Sequence, residues 1–283
     1  MAKATSQCEW LGLQEALQKF VSGEVTHQSA GHIKPLHWYV ACRLVLEGGF
    51  DPEDITPRPP FAVTAKGDKK VLSFVEGSGG GGERTILGGL KTKNVDVVVS
   101  KEGVGPVLAV SVKGTLNAFR NLTNRMEEAV GDCTNLHISY PTLVYGFAHV
   151  MSANRAGTNV NPNDVAIESD GRVSDSIARY HDVLSRLAGR SDLRDDPTKY
   201  EAVALALVKP DRKSAGEVLS SFPASSSPLL LKDFFQKLYD QYDRRFVYAA
   251  PSLDSVTKRN EWKLADDIGK DVRLAGYEPR TET

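Results

Sequence analysis

Two runs rich in β-branched residues constrain the fold of this chain more than any other feature. The runs NVDVVVS (94–100) and PVLAVSVK (106–113) are separated only by KEGVG, a spacing typical of a hairpin of buried strands. A helical pattern follows from Leu116 to Val130, with Gly131 as its predicted C-cap, and then the apolar run TLVYGFAHVM (142–151). This alternation predicts an α/β fold with a central mixed β-sheet flanked by helices.

The flanking segments extend the pattern on both sides. FAVTAK (61–66) and VLSFVE (71–76) predict a second hairpin, joined through Gly67-Asp68. Seven glycines between Gly77 and Gly89 predict a mobile loop, and the polar segment after Gly269 predicts a loosely attached tail. Periodicity also predicts helices at 9–21, 33–47, 172–188 and 229–245 and a strand at 201–208.

The length of 283 residues is compatible with one large domain. We expect a single domain over 1–283, in which a core at 33–150 follows an N-terminal helical segment (1–32) and precedes a C-terminal extension (151–283). No apolar run reaches membrane-spanning length, and the first residues lack the pattern of a signal peptide. Three cysteines without CxxC spacing argue against disulfides and zinc knuckles, so the expected location is the cytoplasm.

The charge balance argues mildly against one class of nucleic-acid binder. With 35 basic and 36 acidic residues, the chain lacks the bulk positive charge on which a non-specific coat protein depends. A sequence-specific enzyme needs only a locally basic cleft, and its own metal-binding carboxylates lower the total. The net charge of −1 is therefore compatible with such an enzyme.

Three polar residues interrupt the apolar hairpin and are candidates for a catalytic centre. Asp96 stands within NVDVVV, where an isolated buried carboxylate costs several kcal/mol unless it is paired or metal-bound. Ser111 and Lys113 break the second strand two residues apart, so both project from the same face. Each residue alone is more typical of a cap or a strand end. Together, on paired strands, they favour a functional site at one end of the sheet.

This arrangement resembles the PD-(D/E)XK nuclease superfamily, whose core has the order helix–strand–strand–strand–helix–strand. The resemblance covers roughly residues 33–150, with Asn94-Val95-Asp96 in place of "PD" and Ser111-Val112-Lys113 in place of "(D/E)XK". Two departures stand out: no proline precedes Asp96, and Ser111 replaces the second acid. The closest variant of the family is found among type II restriction endonucleases with a Ser-x-Lys strand, in which an acid of the next helix, about fourteen residues beyond the lysine, replaces the missing one.

The resemblance implies a Mg²⁺-dependent DNA endonuclease and a role for each residue. Asp96 and a helix glutamate would hold the ion; the fourteen-residue spacing favours Glu127, with Glu128 as the alternative. The carbonyl of Val112 would be a third ligand, Lys113 would act on the attacking water, and Ser111 would hydrogen-bond locally. Glu47 stands where some members place an extra acid, although a surface charge at a helix end is the favoured interpretation.

Partners follow from the same resemblance. Double-stranded DNA is the expected substrate, and a homodimer is expected because cleavage of both strands of a palindrome requires two symmetric sites. Four polar residues follow Lys113 and can read bases, although phosphate clamps or a plain surface face are equally favoured interpretations: Arg120, Asn121, Asn124 and Arg125. Two alternatives remain: a repair, recombination or phage nuclease such as a nickase or resolvase, and a DNA-binding protein without cleavage activity.

Two further motifs are not expected to form sites. GSGGGG (77–82) lacks the Lys-Ser/Thr of a phosphate-binding loop, and no helix is predicted after it. His27, His32 and His37 follow one another at steps of five, which does not place them on one helical face. A metal site built from these three histidines is therefore not expected.

Overall fold

The computed structural model describes residues 7–22, 30–158 and 160–282, without the side chains of Ala30 and Arg120. His27 thus lies outside the described residues. In chain order the helices are α1 (Leu13–Val21), α2 (Lys34–Leu46), α3 (Leu122–Ser139), α4 (Asp175–Leu187), α5 (Leu231–Tyr242), α6 (Asp254–Thr257) and α7 (Asp266–Gly269). The strands are β1 (Ile55–Thr56), β2 (Phe61–Lys66), β3 (Lys69–Phe74), β4 (Arg84–Leu87), β5 (Thr92–Val95), β6 (Val97–Lys101), β7 (Gly105–Thr115), β8 (Val144–Ser152), β9 (Ala202–Val208) and β10 (Trp262–Leu264).

A five-stranded mixed sheet forms the centre of the fold, in the order β1-β6-β7-β8-β9. β6 pairs antiparallel with both β1 and β7, whereas β7, β8 and β9 are mutually parallel. The parallel pair β7 and β8 requires a crossover connection, and α3 supplies it. The predicted α/β class, with a mixed central sheet flanked by helices, is confirmed.

Alternating side chains of the central strands bury two separate hydrophobic clusters. Val97, Val110 and Val112 belong to a cluster with α1, α2 and α5, while Val98 and Ala109 belong to a cluster with α3 and α4. Full burial of one such aliphatic side chain contributes about 1.5–3 kcal/mol. Because both faces of the sheet are covered, its strands read as continuous apolar runs rather than as alternating ones.

The first predicted strand is in fact two strands that meet at Asp96. β5 belongs to a two-stranded sheet with β4, and β6 begins only after Asp96, in the central sheet. The prediction of one strand over 94–100 was therefore wrong. Composition could not reveal the break, because the residues on both sides of Asp96 are equally apolar and equally buried.

The glycine-rich segment is more ordered than its composition predicts. It contains β4, and Gly80 forms backbone hydrogen bonds with Arg58 in both directions. The Gly89 amide donates to the Asn135 carbonyl of α3, and a Cβ at Gly89 would clash with Ile138. The prediction of a loop over the whole of 77–89 was therefore wrong. The glycines here permit close packing on α3.

The C-terminal segment is also integrated into the fold. β10 pairs with β3, and the indole of Trp262, which is 1% exposed, donates to the Val45 carbonyl of α2 at 2.7 Å. Beyond Gly269, the Tyr277 hydroxyl donates to the Leu11 carbonyl and the Arg280 amide to the Leu46 carbonyl. The prediction of a loose tail was wrong because a few aromatic anchors outweigh the polar composition of the segment. Within the described ranges, no helix is long and apolar enough to cross a membrane.

Helix α3 begins later and ends later than predicted. β7 continues to Thr115, and Ala118 has a left-handed backbone (φ 56°), so the helix begins only at Leu122. It continues through Gly131, which is exposed and has no atom near the position of a Cβ. Gly131 is thus a helix-interior residue and not the predicted C-cap.

Replacing Gly131 by alanine is expected to stabilise the protein by about 0.5–1 kcal/mol, because alanine loses less backbone entropy in a helix interior. The measurement is the free energy of unfolding in urea. The matched control is Gly146→Ala in β8, where the added Cβ would lie 2.7 Å from the Phe234 ring and is expected to destabilise by about 1–3 kcal/mol. A loss of stability in Gly131→Ala would contradict the helix boundaries given above.

Candidate functional site

Asp96 is buried at the point where the chain enters the central sheet. It is 4% exposed, and its Oδ2 accepts hydrogen bonds from the Ser111 hydroxyl at 3.0 Å and from the Val112 amide at 2.7 Å. The last residue pair of β6 with β7 at this end is Val97 with Val110. Beyond that pair the Asp96 carboxylate takes the place of a strand neighbour and accepts from the backbone of β7. This explains how a carboxylate can be accommodated inside an apolar hairpin.

Lys113 lies beside the same carboxylate oxygen. Its Nζ is 3.6 Å from Asp96 Oδ2, and its side chain is 20% exposed. Ser111 and Lys113 share one face of β7, while Val112 between them packs in the opposite hydrophobic cluster. The expected convergence of Asp96, Ser111 and Lys113 is therefore observed. A partly exposed ammonium next to a buried carboxylate leaves one side of the group open to a substrate.

Helix α3 brings an acid near Lys113, and that acid is Glu128. Its carboxylate accepts from Arg125 at 2.7 Å and lies 3.9 Å from Lys93 Nζ. Burial alone would raise the pKa of Glu128, but the Arg125 hydrogen bond and the charge of Lys113 lower it below its ordinary value. Glu127, which the sequence spacing favoured, is solvent-exposed. The two residues differ by about 100° around the helix, and the phase of α3 turns Glu128 towards the strands.

A second acid of α3 lies one turn beyond Glu128. Asp132 is 4% exposed and forms an ion pair with Lys93 of β5, which thereby links the β4–β5 sheet to α3. The sequence analysis missed both Asp132 and Lys93. The four-residue step from Glu128 to Asp132 is the signal that could have identified them, since it places two acids on one helix face.

His37 of α2 approaches Asp96 from another direction. Its Nε2 lies 3.7 Å from Asp96 Oδ1, and the residue is 6% exposed. Burial lowers the pKa of His37, while the Asp96 carboxylate and a hydrogen bond with the Val112 backbone act in the opposite direction. Within the described residues, His37 Nε2 has no hydrogen-bond partner. In the sequence this histidine stands out only as one of three at steps of five, and no pattern there connects it with Asp96.

Glu47, the possible extra acid, does not join this group. It caps the far end of α2, about 15 Å along the helix from His37 at 1.5 Å per residue. Its carboxylate accepts from Arg43 at 2.6 Å and from the Glu278 amide at 3.1 Å. Glu47 therefore connects α2 to the C-terminal segment, in line with the favoured interpretation as a charge at a helix end.

Two of the candidate DNA-binding residues, Asn121 and Arg125, line a pocket that begins at the residue after Lys113. The pocket has a volume of about 270 Å³ and is lined by Gly114, Thr115, Asn121 and Arg125, among others. Asn121, Asn124 and Arg125 are exposed, and Arg125 also donates to Glu128. The side chain of Arg120 lies outside the described residues. Three of the four predicted residues thus present polar groups to solvent, and they lie at the N-terminal end of α3.

A buried histidine, His149, contacts Thr115, one of the residues that line this pocket. His149 Nε2 lies 2.8 Å from the Thr115 hydroxyl, and its Nδ1 lies 2.6 Å from the Tyr180 hydroxyl. Burial, assisted by the charges of Arg125 and Lys113, lowers the pKa of His149 to about 3, so the ring is neutral at physiological pH. This uncharged chain fixes the end of β7 against α4.

The residues present are suited to a hard divalent cation. The described hydrogen bonds of Asp96 are both made by Oδ2, which leaves Oδ1 directed at a buried ring nitrogen that lacks a partner. Mg²⁺ retains several waters and needs only one or two carboxylates from the protein. Over residues 7–22, 30–158 and 160–282, no group of three or more His, Cys, Asp or Glu side chains is placed to hold a metal ion. The residues that would hold a Mg²⁺ ion are Asp96, the carbonyl of Val112 and Glu128, which lies in the field of Lys113.

Comparisons with protein-family models, with curated proteins and with solved structures find no match to this chain.

Proposed function

We propose that this protein is a Mg²⁺-dependent type II restriction endonuclease that cleaves double-stranded DNA at a specific short sequence. The observation that carries the proposal is the position of Lys113 Nζ, 3.6 Å from the carboxylate of buried Asp96, the residue that precedes the neighbouring strand β6. The element order supports it: α2, β1, β6, β7, α3 and β8 follow the order of the PD-(D/E)XK core, with the hairpins β2–β3 and β4–β5 inserted after β1.

Each residue has a task in phosphodiester hydrolysis. A bound Mg²⁺ would supply positive charge that favours ionisation of water and neutralises the phosphate. Asp96 and Glu128 would hold it, together with the Val112 carbonyl. Lys113 would orient the attacking water and stabilise the charge that develops on the phosphate oxygens. Ser111 acts through Asp96, because its hydroxyl donates to the carboxylate and fixes its orientation.

The exposed face of α3 is the proposed contact with DNA. The exposed residues Asn121, Asn124 and Arg125 follow Lys113 in the chain. A DNA strand whose scissile phosphate is bound at Lys113 would continue past them. Arginine pairs with guanine and asparagine with adenine in the major groove, and both also bind phosphates. A homodimer would place two such faces on the two halves of a palindrome.

Incubation of a supercoiled plasmid with the purified protein and Mg²⁺ tests the proposal against its alternatives. A restriction endonuclease produces discrete linear fragments, whose sequenced ends give the recognition site. A nickase or resolvase produces open circles without fragments. An unchanged plasmid, together with a shift of DNA mobility, would leave a DNA-binding protein as the remaining function and overturn the enzymatic proposal.

The identity of the helix acid leads to a separate prediction. Glu128→Gln is expected to lower the cleavage rate at least about a hundredfold, because the acid that lies in the field of Lys113 would lose its charge. Glu127→Gln is the matched control and is expected to cleave within about twofold of the wild type, since this side chain is exposed. The measurement is the single-turnover rate on a duplex carrying the mapped site. A larger loss of cleavage rate in Glu127→Gln than in Glu128→Gln would assign the metal ligand to Glu127, the residue that the sequence spacing favoured.

A further inference from the structure

We propose that His37 is a nitrogen ligand of the metal ion, which makes the site selective for Mn²⁺ over Mg²⁺. The inference rests on the proposed function, because it concerns the same ion. It adds a residue from α2, an element to which the sequence assigned only Glu47. The site would then combine one imidazole nitrogen with carboxylate and carbonyl oxygens.

The distance between His37 and Asp96 suits a shared ion better than a direct bond. At 3.7 Å, His37 Nε2 and Asp96 Oδ1 are too far apart for a hydrogen bond, which requires about 2.7–3.2 Å. Two ligands at about 2.1 Å from one ion lie about 3 Å apart when adjacent and about 4.2 Å apart when opposite. The observed separation falls between these limits, so a modest adjustment of either side chain would allow both to bind one ion.

The surroundings of His37 leave its Nε2 without a hydrogen-bond partner in the described part of the chain. The residue is 6% exposed, and this nitrogen is buried. A buried polar atom without a partner costs about 1–3 kcal/mol, which a stable fold seldom retains without a function. The same ring also forms a hydrogen bond with the Val112 backbone, which holds it beside β7. His37 Nε2 of α2 and Asp96 Oδ1 at the β5–β6 junction therefore lie near enough to each other to share one ion.

An imidazole ligand changes which metal the site prefers. Mg²⁺ gains little from nitrogen, whereas first-row transition ions bind imidazole well and follow Mn²⁺ < Fe²⁺ < Co²⁺ < Ni²⁺ in affinity. We therefore expect Mn²⁺ to bind more tightly than Mg²⁺ to the wild-type protein. That preference is expected to decrease when His37 is replaced by a residue that cannot coordinate.

Pulsed electron paramagnetic resonance of bound Mn²⁺ tests this directly, without reference to catalysis. The full-length protein loaded with Mn²⁺ is expected to show electron spin-echo modulation from a coordinated ¹⁴N nucleus. His37→Phe is expected to lose that modulation and to bind Mn²⁺ at least about tenfold more weakly. The matched control is His181→Phe on α4, where the ring contacts Ser227 and Phe222. This control is expected to keep the wild-type spectrum.

The wild-type spectrum alone can overturn the inference, so the result does not depend on how well His37→Phe folds. Bound Mn²⁺ without ¹⁴N modulation would remove His37 from the site, as would modulation that persists in His37→Phe. Absence of Mn²⁺ binding by the wild type would also refute the inference. The plasmid assay in Mg²⁺, run on the same preparation, separates the two proposals: fragments without ¹⁴N modulation refute only the role of His37, whereas an intact plasmid refutes the nuclease.

Discussion

Replacing Asp96 by asparagine is expected to lower the rate of DNA cleavage at least about a thousandfold. The change removes one carboxylate of the proposed ion site, and a loss of about 4 kcal/mol of transition-state stabilisation corresponds to that factor. The fold should survive, because an asparagine oxygen can still accept from the Ser111 hydroxyl and the Val112 amide. The measurements are the single-turnover rate on a duplex with the mapped site and, in parallel, the affinity for that duplex.

Two companion variants separate catalysis from structure. Lys113→Met keeps most of the side-chain volume and removes the charge, and should reduce the rate by about 10²–10⁴ while DNA still binds. Asp170→Asn is the control, because Asp170 is an exposed acid that pairs with Arg172 on the surface. Unchanged cleavage in Lys113→Met would exclude the lysine from the chemistry even if Asp96→Asn were inactive.

Replacing Glu201 by alanine is expected to destabilise the protein by about 3–5 kcal/mol. Glu201 Oε1 binds Arg190 at 2.9 Å and Arg245 at 2.7 Å, and Oε2 accepts from the Tyr145 amide at 2.7 Å. All three charged side chains are nearly inaccessible to solvent. The alanine variant would leave two arginines buried without a counter-charge and one backbone amide without an acceptor.

The free energy of unfolding in urea measures this effect, with Glu217→Ala as the control. Glu217 pairs with Lys209 on the surface, where an ion pair contributes less than about 1 kcal/mol. Burial alone would raise the pKa of Glu201, but hydrogen bonding to His137 and the charge of Arg245 lower it. A carboxyl whose pKa is lowered in the folded state stabilises the fold when the pH is above the ordinary pKa of glutamate, about 4.3. That contribution is lost as the pH falls below this value. The difference between the two variants should therefore shrink in acid, and equal losses at neutral pH would contradict the assignment.

The strands and the convergence of Asp96 with Lys113 could be predicted because both depend on local patterns. β-branched runs identify the buried strands β6 and β7, although not the break at Asp96, and the short connection between the two runs makes them neighbours. Side-chain alternation then places Ser111 and Lys113 on one face. None of these steps requires knowledge of how a helix packs on the sheet.

The remaining parts of the site depend on packing and could not be read in this way. The choice between Glu127 and Glu128 depends on the phase of α3, and the predicted start at Leu116 differs from the observed start at Leu122. His37 reaches Asp96 only because α2 lies against the strands at that end. The cluster of Glu201 joins Arg190 and Arg245, which are 55 residues apart in the chain. Apolar periodicity carries no information about such pairings.

In the proposed mechanism, the buried Asp96 carboxylate and a divalent ion together break phosphodiester bonds. The most direct test treats a supercoiled plasmid with the wild-type protein and with Asp96→Asn, each in Mg²⁺ and in EDTA. Conversion to discrete linear DNA by the wild-type protein in Mg²⁺ alone, with closed circles left in the other three reactions, is the predicted outcome. Linear DNA formed in EDTA, or formed equally well by the asparagine variant, would contradict it.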